Sequence, residues 1–140
     1  MQKTDLKHSK IGDLVSEYYH EWGSEIDAFL GNWVNVNVKT GQIARLELTF
    51  KDDNMWLHGF GKLEEGEMDW GQSLCNTFSS NVGSPEIEGF VCDFEFEFVT
   101  IHIAGNMKYG VMVIQSYNTF IDGSDRNNYF CREFFVRKTN

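Results

Sequence analysis

The most constraining feature of this sequence is the alternation of apolar and polar side chains that begins after Leu30. A period of two is the pattern of a β-strand with one buried face. Residues typical of turns interrupt this alternation repeatedly along the chain. They cluster at Thr40-Gly41, Asp52-Asp53, Glu65-Gly66, Ser79 to Pro85, Gly105 to Gly110 and Asp122 to Asn128. Short strands joined by closely spaced turns predict an antiparallel meander rather than βαβ units.

The number of strands follows from the spacing of these turns. The stretch from Glu86 to Ala104 is too long for one strand, and a corner near Asp93 divides it into two, which gives eight in total. Aromatic residues make up 15% of the chain and favour the half-buried surfaces of sheets. The predicted fold class is therefore all-β, an eight-stranded antiparallel up-and-down β-barrel.

Three consecutive hairpins agree about which side chains face inward. Cross-strand neighbours share a face, so centring each hairpin on its turn links the three registers. One face holds every charge of these strands, including His58 opposite Glu47 and also Lys62, and is assigned to the outside. The opposite, inner face includes Trp33, Asn35, Leu48, Phe50, Leu57, Trp70 and Gln72. Trp70 is expected to lie across from Gly61, its indole covering the glycine.

The first 29 residues differ from the rest of the chain. Apolar residues three or four apart between Ile11 and Trp22 predict an amphipathic helix that Gly23 ends. We therefore expect a helical segment over residues 1–29 and a barrel over 30–140, together forming one domain. The helix is expected to pack outside the barrel or at its end, covering outer apolar residues. These are Val34, Val36, Trp56 and Phe60, and a homodimer through the same residues is the alternative.

Charge and composition exclude several kinds of partner. The net charge of −9 repels nucleic-acid phosphates and anionic membranes, so neither is expected as a partner. Four scattered histidines and three cysteines without a CxxC pair predict no metal site and no cofactor. An odd number of cysteines and the lack of a signal-peptide pattern favour reduced thiols in the cytoplasm.

A family resemblance rests on Phe29-Leu30-Gly31-Asn32-Trp33, a short turn that leads into Gly-x-Trp on the first strand. This opening resembles that of lipocalins and fatty-acid-binding proteins, the calycin barrels. The resemblance implies that Trp33 plugs the barrel floor beneath an arginine of the last strand, either Arg137 or Arg132. Four short segments also look like those of uncharacterised bacterial lipocalin-like proteins. They are Trp33-Val34-Asn35, Phe60-Gly61-Lys62, Asp69-Trp70-Gly71 and Asp122-Gly123-Ser124-Asp125-Arg126.

The predicted interior favours binding of a small hydrophobic or aromatic molecule. A mostly apolar lining with few polar groups is typical of small-molecule sites. The expected wall consists of Trp33, Leu48, Phe50, Leu57 and Trp70, with the amides of Asn35 and Gln72 orienting the ligand. A core filled by its own side chains is the structural alternative.

Two other functions remain open at this point. A cyclase or isomerase without a cofactor needs an interior proton donor or acceptor, and His102, Tyr117 or an interior carboxylate are the candidates. A protein-interaction module would instead use the outer apolar residues around Val34 and Trp56.

Overall fold

A computed structural model describes residues 26–139 and shows one closed barrel of eight antiparallel strands. The strands are β1 Gly31–Asn35, β2 Ile43–Lys51, β3 Asn54–Lys62, β4 Glu67–Ser79, β5 Ile87–Glu95, β6 Val99–Lys108, β7 Val111–Phe120 and β8 Tyr129–Arg137. Each strand pairs with the next, and β1 pairs with β8 to close the barrel. The predicted fold class is confirmed. The helix predicted over Ile11–Trp22 lies outside the described residues.

The hairpin of β2 and β3 has the predicted register from Leu46 to Phe50, and a bulge interrupts it only further along, between Ile43 and Arg45. Phe50 pairs with Met55, and Leu48 with Leu57, as centring on the Asp52-Asp53 turn requires. Both aspartates adopt positive φ angles, 54° and 64°, which is the geometry of a tight two-residue hairpin turn. The local turn chemistry fixes this register without help from the rest of the barrel.

The hairpin of β1 and β2 differs from the prediction by two residues. Trp33 pairs with Leu46 rather than with Leu48, because the connection is not a tight turn but spans residues 36–42. Thr40 in this loop is buried, and its hydroxyl donates to Glu133 on β8 at 2.6 Å. A shift of two residues preserves the inward face, so Trp33 remains in the interior.

The hairpin of β3 and β4 contains a bulge that the prediction missed. Gly61 pairs with Met68, and Gly59 pairs with Gly71, so Trp70 is an extra residue on β4. Gly71 has a φ of 84°, and its N–H bonds to the Asp69 carboxylate at 2.7 Å. One extra residue moves each later side chain of the strand to the opposite face of the sheet from the predicted one.

The break between β5 and β6 lies beyond the predicted corner. The expected position was near Asp93, but β5 continues to Glu95, and the turn covers residues 96–98. Asp93 is an ordinary outward residue of β5, and its carboxylate lies 2.7 Å from His102 Nδ1. The count of eight strands is confirmed, whereas this boundary is wrong by three residues.

Trp33 closes one end of the barrel. Its side chain is 1% exposed, and the indole Nε1 donates to the Phe29 carbonyl at 2.9 Å. The Arg137 guanidinium lies 4.5 Å from the centre of the indole ring and donates to the Ala28 carbonyl at 2.6 Å. The Trp–Arg contact that the resemblance implied is therefore present, and Arg137 supplies it.

Gly31 is required by the same contact. Its φ of 123° is one that side chains rarely adopt, and an added Cβ would lie 2.6 Å from Arg137 Nη1. The spacing of Gly31 and Trp33 thus has a physical cause, since the glycine leaves the room that the arginine occupies above the tryptophan.

Candidate functional site

The end of the barrel opposite Trp33 contains an open cavity of about 300 Å³. All four connections at this end contribute residues to its lining. Gln42, Leu63, Phe98 and Arg126 each come from a different connection. Leu46, Leu57 and Ile103, in the interior nearer Trp33, are fully buried and fill the barrel. The cavity volume is at the lower end of the range for small-molecule sites.

Aromatic and aliphatic side chains form most of the cavity wall. The principal ones are Met68, Trp70, Phe96, Phe98, Ile101 and Phe120. The Trp70 ring packs edge-on against Phe94 and Phe96, with ring centres 5.4 Å and 5.2 Å away. Its indole also covers Gly61, as predicted, because a Cβ at Gly61 would overlap the indole. The predicted pairing is wrong, however, since Met68 rather than Trp70 lies opposite Gly61. Alternation from Met68, which pairs with Gly61, already turns Trp70 inward, and the bulge changes the facing only of the residues that follow it.

Three neutral polar side chains lie among these walls and bond to one another. The Gln42 amide donates to the Tyr129 hydroxyl and to Asn118 Oδ1, the latter at 3.4 Å. Asn118 is 2% exposed, and its amide donates to Ser116 Oγ at 3.2 Å and to the Tyr129 carbonyl. Burial raises the pKa of the Tyr129 hydroxyl, which therefore stays protonated. The cavity thus has an uncharged hydrogen-bonding network.

Two cations lie at the mouth of the cavity, Lys62 and Arg126. The Arg126 guanidinium stacks over Phe120 at 4.2 Å and is held from behind by Asp122 Oδ2 at 2.5 Å. Hydrogen bonds from Ser124, and then the charge of Arg126, keep the pKa of Asp122 below its usual range. Lys62 was assigned to the outer face, but as the last residue of β3 it lies on the rim, where alternation ends.

A half-buried carboxylate faces inward on β8, beside the 36–42 loop. Glu133 accepts hydrogen bonds from Asn35 Nδ2 at 3.0 Å, Asn37 Nδ2 at 2.9 Å and Thr40 Oγ1 at 2.6 Å. These bonds tie the 36–42 loop to β8. Burial, followed by the charge of Glu133, raises the pKa of the neighbouring Cys131 thiol, which is the reverse of what a nucleophilic cysteine needs.

The structure separates the predicted wall residues into two groups. Only Trp70 lines the cavity. Trp33, Leu48 and Leu57 are at most 1% exposed and belong to the filled core, while half-buried Phe50 lies near the Trp33 end of the barrel. In this part of the interior the filled core, which was the structural alternative, is what the structure shows.

The two amides that were predicted to orient a ligand, Asn35 and Gln72, both lie away from the cavity. Asn35 is buried, but its amide bonds to the Ile43 carbonyl at 2.9 Å and to Glu133. The inward placement of Gln72 is wrong, because the bulge at Trp70 pairs Gln72 with the outward-facing His58 and leaves it exposed. Neither amide lines the cavity.

The catalytic candidates His102 and Tyr117 lie outside the barrel. They pair with each other across β6 and β7, and both are nearly half exposed. The His102 ring bonds to Asp93 on the same outer face. Neither residue meets the requirement for an interior position, because the β6–β7 register turns Ile101 and Asn118 inward instead. Of the catalytic candidates, only an interior carboxylate, Glu133, is found.

The outer apolar residues expected to form one patch are not contiguous. Val34 and Phe60 are separated by Arg45, whose guanidinium covers the Phe60 ring at 3.7 Å. Trp56 lies further along β3, opposite Thr49. Val36 lies beside Phe134 of β8. A homodimer through these residues stays a prediction, as does their role in protein interaction.

Sequence reasoning missed Gln42, Asn118, Arg126 and Tyr129. A signal for Asn118 existed, because a turn at Tyr109-Gly110 fixes the β6–β7 register and places Asn118 opposite inward-facing Ile101. The glycine after Trp70 was a signal for the bulge, since a glycine inside a strand often marks one. Gln42 and Arg126 lie outside the strands, where alternation carries no information.

Within residues 26–139, no three His, Cys, Asp or Glu side chains are grouped as a metal ion requires. The same residues contain no helix long and apolar enough to cross a membrane. Comparisons of the chain with protein-family models, curated proteins and solved structures found no match.

Proposed function

We propose that this protein binds one small hydrophobic or aromatic molecule in the open cavity of a lipocalin-like barrel. The observation that carries the proposal is a cavity of about 300 Å³ walled by aromatic side chains, next to a core of buried apolar residues. Packing this space with side chains would contribute to stability, so leaving it open has a cost that a ligand offsets. The mouth opens between loops, where a ligand enters without unfolding of the strands.

The composition of the wall favours a flat, largely apolar ligand. Trp70, Phe96, Phe98 and Phe120 offer ring faces and edges for stacking. The polar side chains Gln42, Asn118 and Tyr129 can each direct one polar group of the ligand. The volume suits a single compact molecule. The three cysteines are free thiols, typical of a reducing compartment, and we propose that binding occurs in the cytoplasm.

Binding of N-phenyl-1-naphthylamine, a neutral fluorescent aromatic probe, tests this proposal. We expect saturable binding with a blue-shifted emission. Phe98→Ala should weaken the affinity by about threefold to tenfold, because one ring contact with the ligand is lost. Phe98 is 46% exposed in the 96–98 turn, so the substitution leaves the barrel core intact.

Phe134→Ala is the matched control. Phe134 is 48% exposed but lies on the outer face of β8, so its removal should leave the affinity unchanged. If Phe134→Ala weakened binding of the probe and Phe98→Ala did not, the probe would lie on the outer surface. That result would contradict the proposal. Absence of saturable binding to the wild-type protein would contradict it as well.

A further inference from the structure

The charges around the cavity differ from those of the whole chain. The sequence has 21 acidic and 12 basic residues, yet the described residues that line the cavity include Lys62 and Arg126 and no carboxylate. Asp122 touches Arg126 but does not line the cavity. Cations are thus the only charged side chains in the described lining of a strongly negative protein, which favours an anionic ligand group.

The contacts of Arg126 hold its guanidinium in place without using all of its donors. Nη2 donates to Asp122 Oδ2 at 2.5 Å and Nε donates to Ser124 Oγ at 3.1 Å. The flat face of the group rests on Phe120, and Phe98 lies 5.4 Å away. Nη1 has no hydrogen-bond partner among residues 26–139, so it is available to a ligand.

Lys62 brings a second positive charge to the same mouth. Its backbone N–H donates to the Gln42 carbonyl at 2.9 Å, which fixes the end of β3 beside the 36–42 loop. The Lys62 side chain is exposed and forms no ion pair within the described part of the chain. Its ammonium group therefore carries no charge partner that a ligand would have to displace.

The neutral network indicates which way a charged ligand would lie. Gln42, Asn118 and Tyr129 bond to one another and include no cation, so an acid group placed among them would have no counter-charge. At the mouth the same group would stay partly hydrated and would have Lys62 and Arg126 as counter-charges. The apolar part of such a ligand would then lie against Trp70 and Phe96.

We propose that the ligand is an aromatic acid, its ring held inside the cavity and its anionic group bound at the mouth by Lys62 and Arg126. This inference rests on the proposed function, because it names the chemical class of molecule that the same cavity takes. Arg126 and Lys62 are ligand-binding residues in this account, and Asp122 and Ser124 position Arg126.

Two probes that differ by one acid group test the inference. They are N-phenyl-1-naphthylamine and 8-anilinonaphthalene-1-sulfonate, the same framework with a sulfonate added. Dissociation constants from isothermal titration calorimetry should be about tenfold lower for the sulfonate at low ionic strength. This preference should shrink as salt is added, because the ion pairs at the mouth are screened. It should appear despite the repulsion expected from a net charge of −9.

Lys62→Gln and Arg126→Gln should each weaken sulfonate binding by about threefold to fivefold, near the upper limit for solvent-exposed ion pairs. Each loss should exceed any effect on the neutral probe, because only the sulfonate has a charge for these cations to pair with. Arg132→Gln is the control, since it removes the same charge from an exposed residue of β8 that stacks on outer Phe130. Circular dichroism establishes that each variant is folded, and the Lys62 side chain makes no hydrogen bond or ion pair within residues 26–139 that its replacement would remove.

The outcomes separate the two proposals. If the wild-type protein binds the sulfonate no more tightly than the neutral probe, the aromatic-acid inference is overturned. Saturable binding of the neutral probe would in that case still support the cavity as a binding site. An Arg132→Gln effect as large as that of Arg126→Gln would also overturn it, since net charge would then explain the result. Failure of both probes to bind would contradict the proposed function itself.

Discussion

Replacement of Trp33 by alanine is expected to lower the free energy of unfolding by about 3–5 kcal/mol. Trp33 is 1% exposed and fills the closed end of the barrel. The substitution removes a large buried ring, the hydrogen bond to the Phe29 carbonyl and the surface on which Arg137 stacks. Urea denaturation followed by far-UV circular dichroism measures the change.

Trp56→Ala is the control for this prediction. Trp56 is only partly buried on the outer face of β3, where its indole donates to the Lys51 carbonyl at 3.3 Å. Its loss should cost about 1 kcal/mol, the usual cost of a single substitution. If the two substitutions had equal effects, Trp33 would not be the plug described above.

Replacement of Gly105 by valine is expected to destabilise the barrel by about 3 kcal/mol, at the upper end of the range for overpacking. Gly105 is buried on β6, where an added Cβ would lie 2.5 Å from Phe90 Cε1 and 3.0 Å from Ile114 Cδ1. Phe90 is itself 1% exposed and cannot move aside without disturbing the core. The same urea titration measures this loss.

Gly41→Val provides the comparison at a glycine without crowding. Nothing lies within 4 Å of a Cβ added at Gly41, which is an exposed residue of the 36–42 loop. This variant should unfold within about 0.5 kcal/mol of the wild-type protein. A Gly105→Val protein as stable as the Gly41→Val protein would show that β6 does not pack on Phe90 as described.

Local turn chemistry explains why much of the barrel could be predicted from the sequence. The Asp52-Asp53 turn sets the β2–β3 register by itself, and alternation around it identifies Leu46, Leu48 and Leu57 as interior. A register error of two residues, as in β1–β2, leaves the facing unchanged. The number of strands and most inward faces are therefore robust to errors in loop length.

The errors arise where a distant residue or an extra residue decides the structure. The 36–42 loop folds inward because the side chains of Asn37 and Thr40 donate hydrogen bonds to Glu133, almost one hundred residues later in the chain. The bulge at Trp70 reverses the facing of Gln72. Neither effect is visible in a period of two, since that pattern assumes an uninterrupted ladder on both strands.

The cavity was harder to predict than the barrel because its lining comes mainly from strand ends and loops. Of the predicted binding residues, only Trp70 lines it. Gln42 and Arg126 reach the cavity from connections, where side-chain direction depends on the loop fold rather than on alternation. Alternation predicts which residues are inside a barrel but not which part of the inside is left open.

The most direct test of the binding site is a nuclear magnetic resonance titration of protein labelled with ¹⁵N in its tryptophan side chains. The Trp70 indole lines the cavity, Trp33 lies in the plug at the other end, and Trp56 lies on the outer face. Saturation with N-phenyl-1-naphthylamine should shift the Trp70 indole N–H signal and leave those of Trp33 and Trp56 in place. A shift of Trp33 or Trp56 with Trp70 unchanged would contradict a ligand site in this cavity.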